Sequence, residues 1–156
     1  MSRAFIKETD ETSESLTERP ISAHPNLVTP EGLELIEAAL SRLREARATA
    51  QSANDHSAQA RIERDLRYWL ARRATAEVVR SPEDPGVVRF GCTVTIARDD
   101  GRQQTYRIVG EDEADPVRGT LSYVSPVARA LMGKRIGDIV RVANSDAEIL
   151  HIKTSH

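Results

Sequence analysis

The sequence predicts an α+β chain: an antiparallel two-helix hairpin, followed by a small antiparallel β-sheet domain with one short helix packed on it. Three observations predict it. Thr29–Arg80 carries two runs of helical apolar spacing on either side of a polar bend, Ser52-Ala53-Asn54-Asp55-His56-Ser57. Ser81-Pro82-Glu83-Asp84-Pro85-Gly86 then ends helical order with two prolines and a glycine. From Val88 onward the apolar period falls to two residues, with turn signals between the runs. The expected organisation is a leader over 1–28, a hairpin over 29–80, a linker over 81–87 and a globular domain over 88–156.

In chain order, Ser2–Asn26 is polar and acidic, interrupted by Pro20 and Pro25, and has no helical or strand period. It reads as a poorly ordered leader with Phe5 and Ile6 as its anchors. The first arm has a well-marked start: Thr29 can cap, Pro30 sits where its missing N–H costs nothing, and Glu31 occupies the dipole-favoured first turn. Leu33, Ile36, Leu40 and Leu43 form an apolar seam that continues into Arg47 and Ala50, and the return arm answers with Ile62, Leu66, Trp69, Arg73 and Ala76. At 1.5 Å per residue such arms would reach about 35 Å. Val88, Phe90, Cys92, Val94 and Ile96 alternate as a first strand, Asp99-Asp100-Gly101 turns the chain, and Gln104, Tyr106 and Ile108 carry the partner strand. After the charged run Glu111–Asp115 comes a third strand at Thr120–Val124. Ser125 then caps a short helix with Pro126 at its first position, ending at Gly133. Ile139–Ala143, a turn at Asn144-Ser145-Asp146 and Glu148–Lys153 close the sheet.

The chain has 156 residues, of which 39% are hydrophobic and only 4% aromatic, enough for one modest core beside a hairpin. A net charge of −2 with both signs well mixed excludes a basic nucleic-acid arm or a polyacidic tail. No run is long and apolar enough to span a membrane, and the first residues lack a signal peptide's apolar region, so a cytoplasmic protein is expected. The single cysteine, Cys92, reads as an inert core thiol. His24, His151 and His156 have no ligand spacing, and Asp55-His56 reads as a solvated turn. No phosphate-binding loop, nucleophile elbow or dinucleotide fingerprint is present. Tyr68 and Trp69 could stack on a base, but Trp69 falls on the seam and core packing is the favoured reading.

Phe90-Gly91-Cys92-Thr93-Val94, the run Tyr106–Asp115 and the run Ser125–Lys134 resemble, in sequence, order and spacing, the carboxy-terminal domain of the bacterial GreA/GreB transcription factors. Val28-Thr29-Pro30-Glu31-Gly32 is similar to that family's opening, so the resemblance runs from Leu27 to about Ile152. It implies a coiled-coil hairpin joined to an FKBP-like domain, and as partner the RNA polymerase core enzyme. In the family the globular domain grips the rim of the polymerase secondary channel. The hairpin carries two tip carboxylates towards the active-site magnesium, where polymerase itself cuts backtracked RNA. The resemblance makes Asp112, Glu113, Asp115, Ser125, Pro126 and Arg129 docking candidates; the arginine series of the hairpin, with Arg47, Arg61 and Arg64 as channel-facing basic candidates and Arg72 among the rest, reads equally as an ordinary solvated face. It also implies a monomer without a cofactor of its own, sharing at most polymerase magnesium, and touching nucleic acid only within the polymerase complex.

The tip departs from the family pattern Gly-Asp-x-x-Glu-Asn-Ala. Asn54-Asp55-His56-Ser57-Ala58-Gln59-Ala60 keeps the first acid as Asp55, the sole tip candidate for magnesium, and places Ala58 where the second belongs. Each arm is also about two to three turns shorter than the family's, a deficit of more than ~10 Å at the tip. The expected function is therefore a polymerase-binding elongation regulator, not itself an enzyme, without strong stimulation of transcript cleavage. One alternative is an active cleavage factor using Asp55 with Glu63, which helical spacing puts two turns away. A more remote alternative is a peptidyl-prolyl isomerase, whose pocket would have to be made from Phe90, Tyr106 and Tyr123.

Overall fold

A computed structural model describes residues 17–154. Phe5, Ile6 and His156 lie outside the described residues. The chain forms two compact units, one built from Glu34–Thr75 with the N-terminal segment up to Ala23, the other from His24–Leu33 with Ala76–His156.

The first unit holds most of helix α1 (Pro30–Ser52) and helix α2 (His56–Thr75). Gln59 donates to the carbonyl of Ala50 at 3.3 Å, and Arg73 meets Glu37 at 3.0 Å. Stepping 13 residues back along α1 and 14 forward along α2 thus leads from one cross-arm bond to the next, as an antiparallel pair requires. Ile36, Ala39, Leu40, Leu43, Ala50 and Leu66 are buried in this unit, so the α1 seam is where the spacing puts it. On α2 the stripe turns sooner than expected. Arg72 is the buried residue of its last turn, while Arg73 is exposed and ion-paired. Neighbours lie about 100° apart on a helix, far more than the ~20° of drift per heptad, so the period alone does not account for the exchange.

The return helix stops at Thr75 rather than Arg80. Beyond it Glu77–Val78 (β2) pairs in parallel with Leu27–Val28 (β1), through Glu77 N–H to the Asn26 carbonyl and Val79 N–H to the Val28 carbonyl, both at 2.9 Å. Consecutive β-branched residues at Val78 and Val79 favour the extended form once a partner strand is available. Part of the stretch expected to be a loose leader is also bonded, from Glu18 onward. Glu18 and Arg19 contact α2, and Leu27-Val28 is a strand.

The second unit is a five-stranded sheet made of β3 (Thr93–Arg98), β4 (Gln103–Val109), β5 (Thr120–Ser122), β6 (Ile139–Val142) and β7 (Ser145–Lys153), in the order β5-β4-β3-β7-β6. Helix α3 (Pro126–Leu131) touches both edge strands, β5 and β6, so the sheet curls around it. Ile96, Ile108, Leu131, Val142 and Ile149 are central members of the buried core. The sheet is not purely antiparallel: β5 runs parallel to β4, with Arg107 opposite Thr120 and Val109 opposite Ser122. The expected first strand is shorter than its alternation. Val88, Phe90 and Cys92 are buried on schedule, yet the ladder begins at Thr93 because Gly91 takes φ +86° and donates to the Ile108 carbonyl at 2.7 Å. Between β6 and β7, Ala143 and Asn144 both adopt positive φ, the two-residue hairpin turn whose twist suits the strands, so β7 starts at Ser145.

Candidate functional site

The tip of the hairpin consists of two caps back to back. Helix α1 ends with Asn54 in the left-handed region at φ 54°, Asn54 N–H bonded to the Gln51 carbonyl and Asp55 N–H to the Ala50 carbonyl, the paired bonds of a Schellman ending. Asp55 immediately caps α2: its Oδ1 accepts the N–H of Ala58 at 3.1 Å. The one tip carboxylate is thus engaged in starting the return helix. Ala58 itself offers no oxygen, and Glu63 lies further along α2, exposed. Among the described residues no three His, Cys, Asp or Glu side chains gather into a metal-holding group. Magnesium asks for about six oxygens in near-octahedral array, so the tip by itself does not fit a resident ion.

The second region is the charged run after β4. Because β4 and β5 are parallel, their C-terminal ends lie at the same end of the sheet. The loop beginning at Gly110 and the segment Tyr123–Pro126 therefore leave from one place, and Asp112, Glu113, Ser125 and Pro126 are brought to one end of the sheet. An all-antiparallel order would have separated the two loops.

Within that loop the candidates have different tasks. Glu113 accepts the backbone N–H of Thr29 at 3.0 Å, the Thr29 hydroxyl through its other oxygen, and the N–H of Gly110 at 3.2 Å. Thr29 in turn accepts the N–H of Gly32 at 3.0 Å as the N-cap of α1. A carboxylate at a helix N-terminus is favoured by the unpaired N–H groups and the dipole. Glu113 therefore fastens the first turn of α1 to the sheet, and two glycines make room for it. A Cβ on Gly32 would lie 2.2 Å from Glu113 Oε2, and one on Gly110 would lie 2.2 Å from the Leu27 carbonyl oxygen. Glu31 faces Arg107 at 3.3 Å, and its carboxyl is held below the usual range, chiefly by a backbone N–H of the helix start and then by Arg107. Asp115 pairs its backbone with Thr120 and reaches Arg118 at 3.5 Å, beside Val117, which is 96% exposed. Asp112 is half-buried. Ser125 caps α3, its Oγ accepting the N–H of Ala128 at 3.3 Å, with Pro126 at the first helical position. Arg129 is exposed on α3.

The basic candidates also divide. Arg61 is exposed and Arg47 half-buried. Arg64 lies partly under cover, its Nε buried without a hydrogen-bond partner and its Nη2 3.4 Å from Asp65. The trio Phe90, Tyr106 and Tyr123 is shared between the core and a cleft. Phe90 and Tyr123 pack edge to face in the core at 5.7 Å, and a cleft of about 380 Å³ between Val79–Pro82, Val87–Phe90 and Met132 includes Phe90 alone of the three. Burial pushes the Cys92 thiol up, which disfavours the reactive thiolate. Sequence reasoning missed Glu18, Arg19 and the anchoring that Glu113 gives to Thr29. The one visible signal was Gly32, an unfavourable residue in the first turn of an otherwise strong helix.

Fold and site define a two-part α+β protein in which a helical hairpin precedes a curled mixed sheet with a charged loop and a capped helix start at one end. The family model described as "Transcription elongation factor, GreA/GreB, C-term" matches residues 82–154. The transcription elongation factor GreA of Hyphomonas neptunium is 44% identical over 113 residues, 69% of this chain and 72% of its own length. That of Legionella pneumophila is 39% identical over 145 residues, 78% of this chain and 88% of its own. A solved GreA/GreB factor from Nitrosomonas europaea aligns over 81% of this chain and 98% of its own at 22% identity, with a TM-score of 0.42. The chain belongs to the GreA/GreB family of transcription elongation factors.

Proposed function

We propose that the chain binds bacterial RNA polymerase at its secondary channel and regulates elongation without strongly stimulating transcript cleavage. The sheet domain, taken as FKBP-like, supplies the grip through Asp112 and the start of α3 at one end of the sheet and Asp115 beside the start of β5; the hairpin enters the channel as a monomer's probe. The observation that carries the reading is the tip. Its one carboxylate caps Ala58, and the position of the second acid is Ala58 itself. Stabilising an attacking and a leaving oxygen calls for two metals and the acids to hold the second, so a lone, engaged Asp55 leaves that ion without its ligands. The protein performs no chemistry of its own, and any RNA cleavage belongs to polymerase with its own magnesium.

The test is a stalled, backtracked elongation complex given magnesium and this protein. Binding without shortening of the RNA 3′ end is expected, and Ala58→Glu alone should not restore cleavage. Robust shortening by the unmodified chain, abolished by Asp55→Ala, would overturn the proposal.

A further inference from the structure

The N-terminal segment of the first unit holds a side chain in a site that α2 builds by itself. Asp65, Tyr68 and Trp69 stand at i, i+3 and i+4 and so share one face of the helix. The guanidinium of Arg19 sits 3.9 Å from the centroid of Tyr68 and 5.9 Å from that of Trp69, and the two rings meet edge to face at 5.2 Å and 84°. Arg19 Nη1 lies 3.4 Å from Asp65 Oδ1. An aromatic face, a second aromatic wall and a carboxylate are the three features that select a planar guanidinium over a compact ammonium. One residue earlier, Glu18 Oε1 takes both Nε and Nη2 of Arg67, at 2.8 and 2.6 Å. The face thus reads a dipeptide, an acid followed by an arginine.

We propose that Asp65, Arg67, Tyr68 and Trp69 form a recognition site for an acid–arginine dipeptide, occupied in cis by Glu18-Arg19 and open to exchange for the same dipeptide on a partner polypeptide. The occupant is placed for exchange. Asp65 Oδ1 is shared, lying 3.4 Å from Arg64 as well as from Arg19, so its charge keeps a partner when Arg19 leaves. The pairs are open to water, with 60% of the Glu18 side chain and 49% of Arg67 exposed. The receptor residues sit on a regular helix and need no rearrangement to accept a second occupant. The site is separate from the tip and from the charged loop, and its test needs no polymerase.

Trp69 is the only tryptophan in the chain and lies in the site, so its emission reports occupancy. The site is emptied in the full chain by Glu18→Ala with Arg19→Ala, and the probe is the peptide acetyl-Thr-Glu-Arg-Pro-Ile-amide. A saturable change in Trp69 emission is expected. Replacing the peptide's arginine by citrulline, or its glutamate by lysine, should weaken binding about tenfold or more. The unmodified chain should bind about tenfold more weakly than the emptied one, because its own dipeptide competes. Equal uptake by both chains, indifference to citrulline, or no saturable change would overturn the proposal. Should the double variant fail to fold, the unmodified chain titrated with the arginine and citrulline peptides decides it, since only the former should displace Arg19 and move the Trp69 signal.

Discussion

Gly32→Ala is a substitution for which helix propensity and this structure give opposite signs. In an ordinary helix interior the change stabilises by about 1 kcal/mol. Here the new methyl would stand 2.2 Å from Glu113 Oε2, and Glu113 can move aside only by releasing Thr29 and Gly110. Thr29 is fully buried and Gly110 is buried as well, so their released donors face no water. Hydrogen bonds to a charged acceptor are worth about 1.5–3 kcal/mol each and do not add fully, so Glu113→Ala should cost about 3–5 kcal/mol. That is a large share of the roughly 5–15 kcal/mol that holds a domain together. Gly32→Ala should recover its propensity gain and forfeit part of this anchor, a net loss of about 1–3 kcal/mol. Placed on Glu113→Ala, where the obstacle is gone, the same Gly32→Ala should stabilise by about 0.5–1 kcal/mol. The assay is urea unfolding followed by the amide signals of Ile108 and Ile149, two core positions of the second unit, in all four members of the cycle. If Gly32→Ala stabilises the unmodified chain, or carries the same sign in both backgrounds, Glu113 is not the anchor described above.

Asp55→Ala should remove one N-cap, lowering hairpin stability by about 1 kcal/mol with little change in polymerase affinity; thermal unfolding and a binding titration separate the two. Reversing both Asp112 and Asp115 to lysine should weaken polymerase binding about tenfold while circular dichroism stays unchanged, and unchanged affinity in a folded variant would remove these two carboxylates as the grip. The carboxyl of Glu31 is held low in the folded state, so its contribution is complete above the ordinary glutamate pKa and is lost as pH falls through the lowered value. Glu31→Gln should therefore flatten the acid limb of the second unit's stability, measured as urea midpoints between neutral pH and about pH 3, and leave the neutral-to-alkaline limb as it was. Half of the Glu31 side chain is exposed, so solvent screening keeps this effect well below that of Glu113.

Much was legible in the sequence because it depends on neighbours along the chain. The caps at Thr29 and Ser125, and the place of the bend at Asn54-Asp55, are set by side-chain oxygens within three residues of their N–H groups, or by a residue that tolerates positive φ. The seam over Ile36, Leu40 and Leu43 follows from 3.6-residue periodicity, and the burial of Val88, Phe90, Cys92, Val94 and Ile96 from alternation. That residue 58 is Ala, where the resemblance implies a second tip acid, is a matter of residue identity, visible without coordinates.

Tertiary structure decided what no local pattern encodes. Alternation is the same in a parallel and an antiparallel strand, so the expectation of an antiparallel sheet could not foresee the parallel β5, nor the gathering of Asp112, Glu113, Ser125 and Pro126 at one end of the sheet. Glu113 and Thr29 are 84 positions apart, and Glu18 and Arg67 are 49, separations over which neither period nor spacing carries information. A carboxylate on an exposed-looking acidic run and one that fastens a helix look alike until the N–H groups that it accepts are in place. Burial then gives the difference, since a charge that satisfies enclosed donors is part of the fold, whereas one left to solvent remains available to a partner.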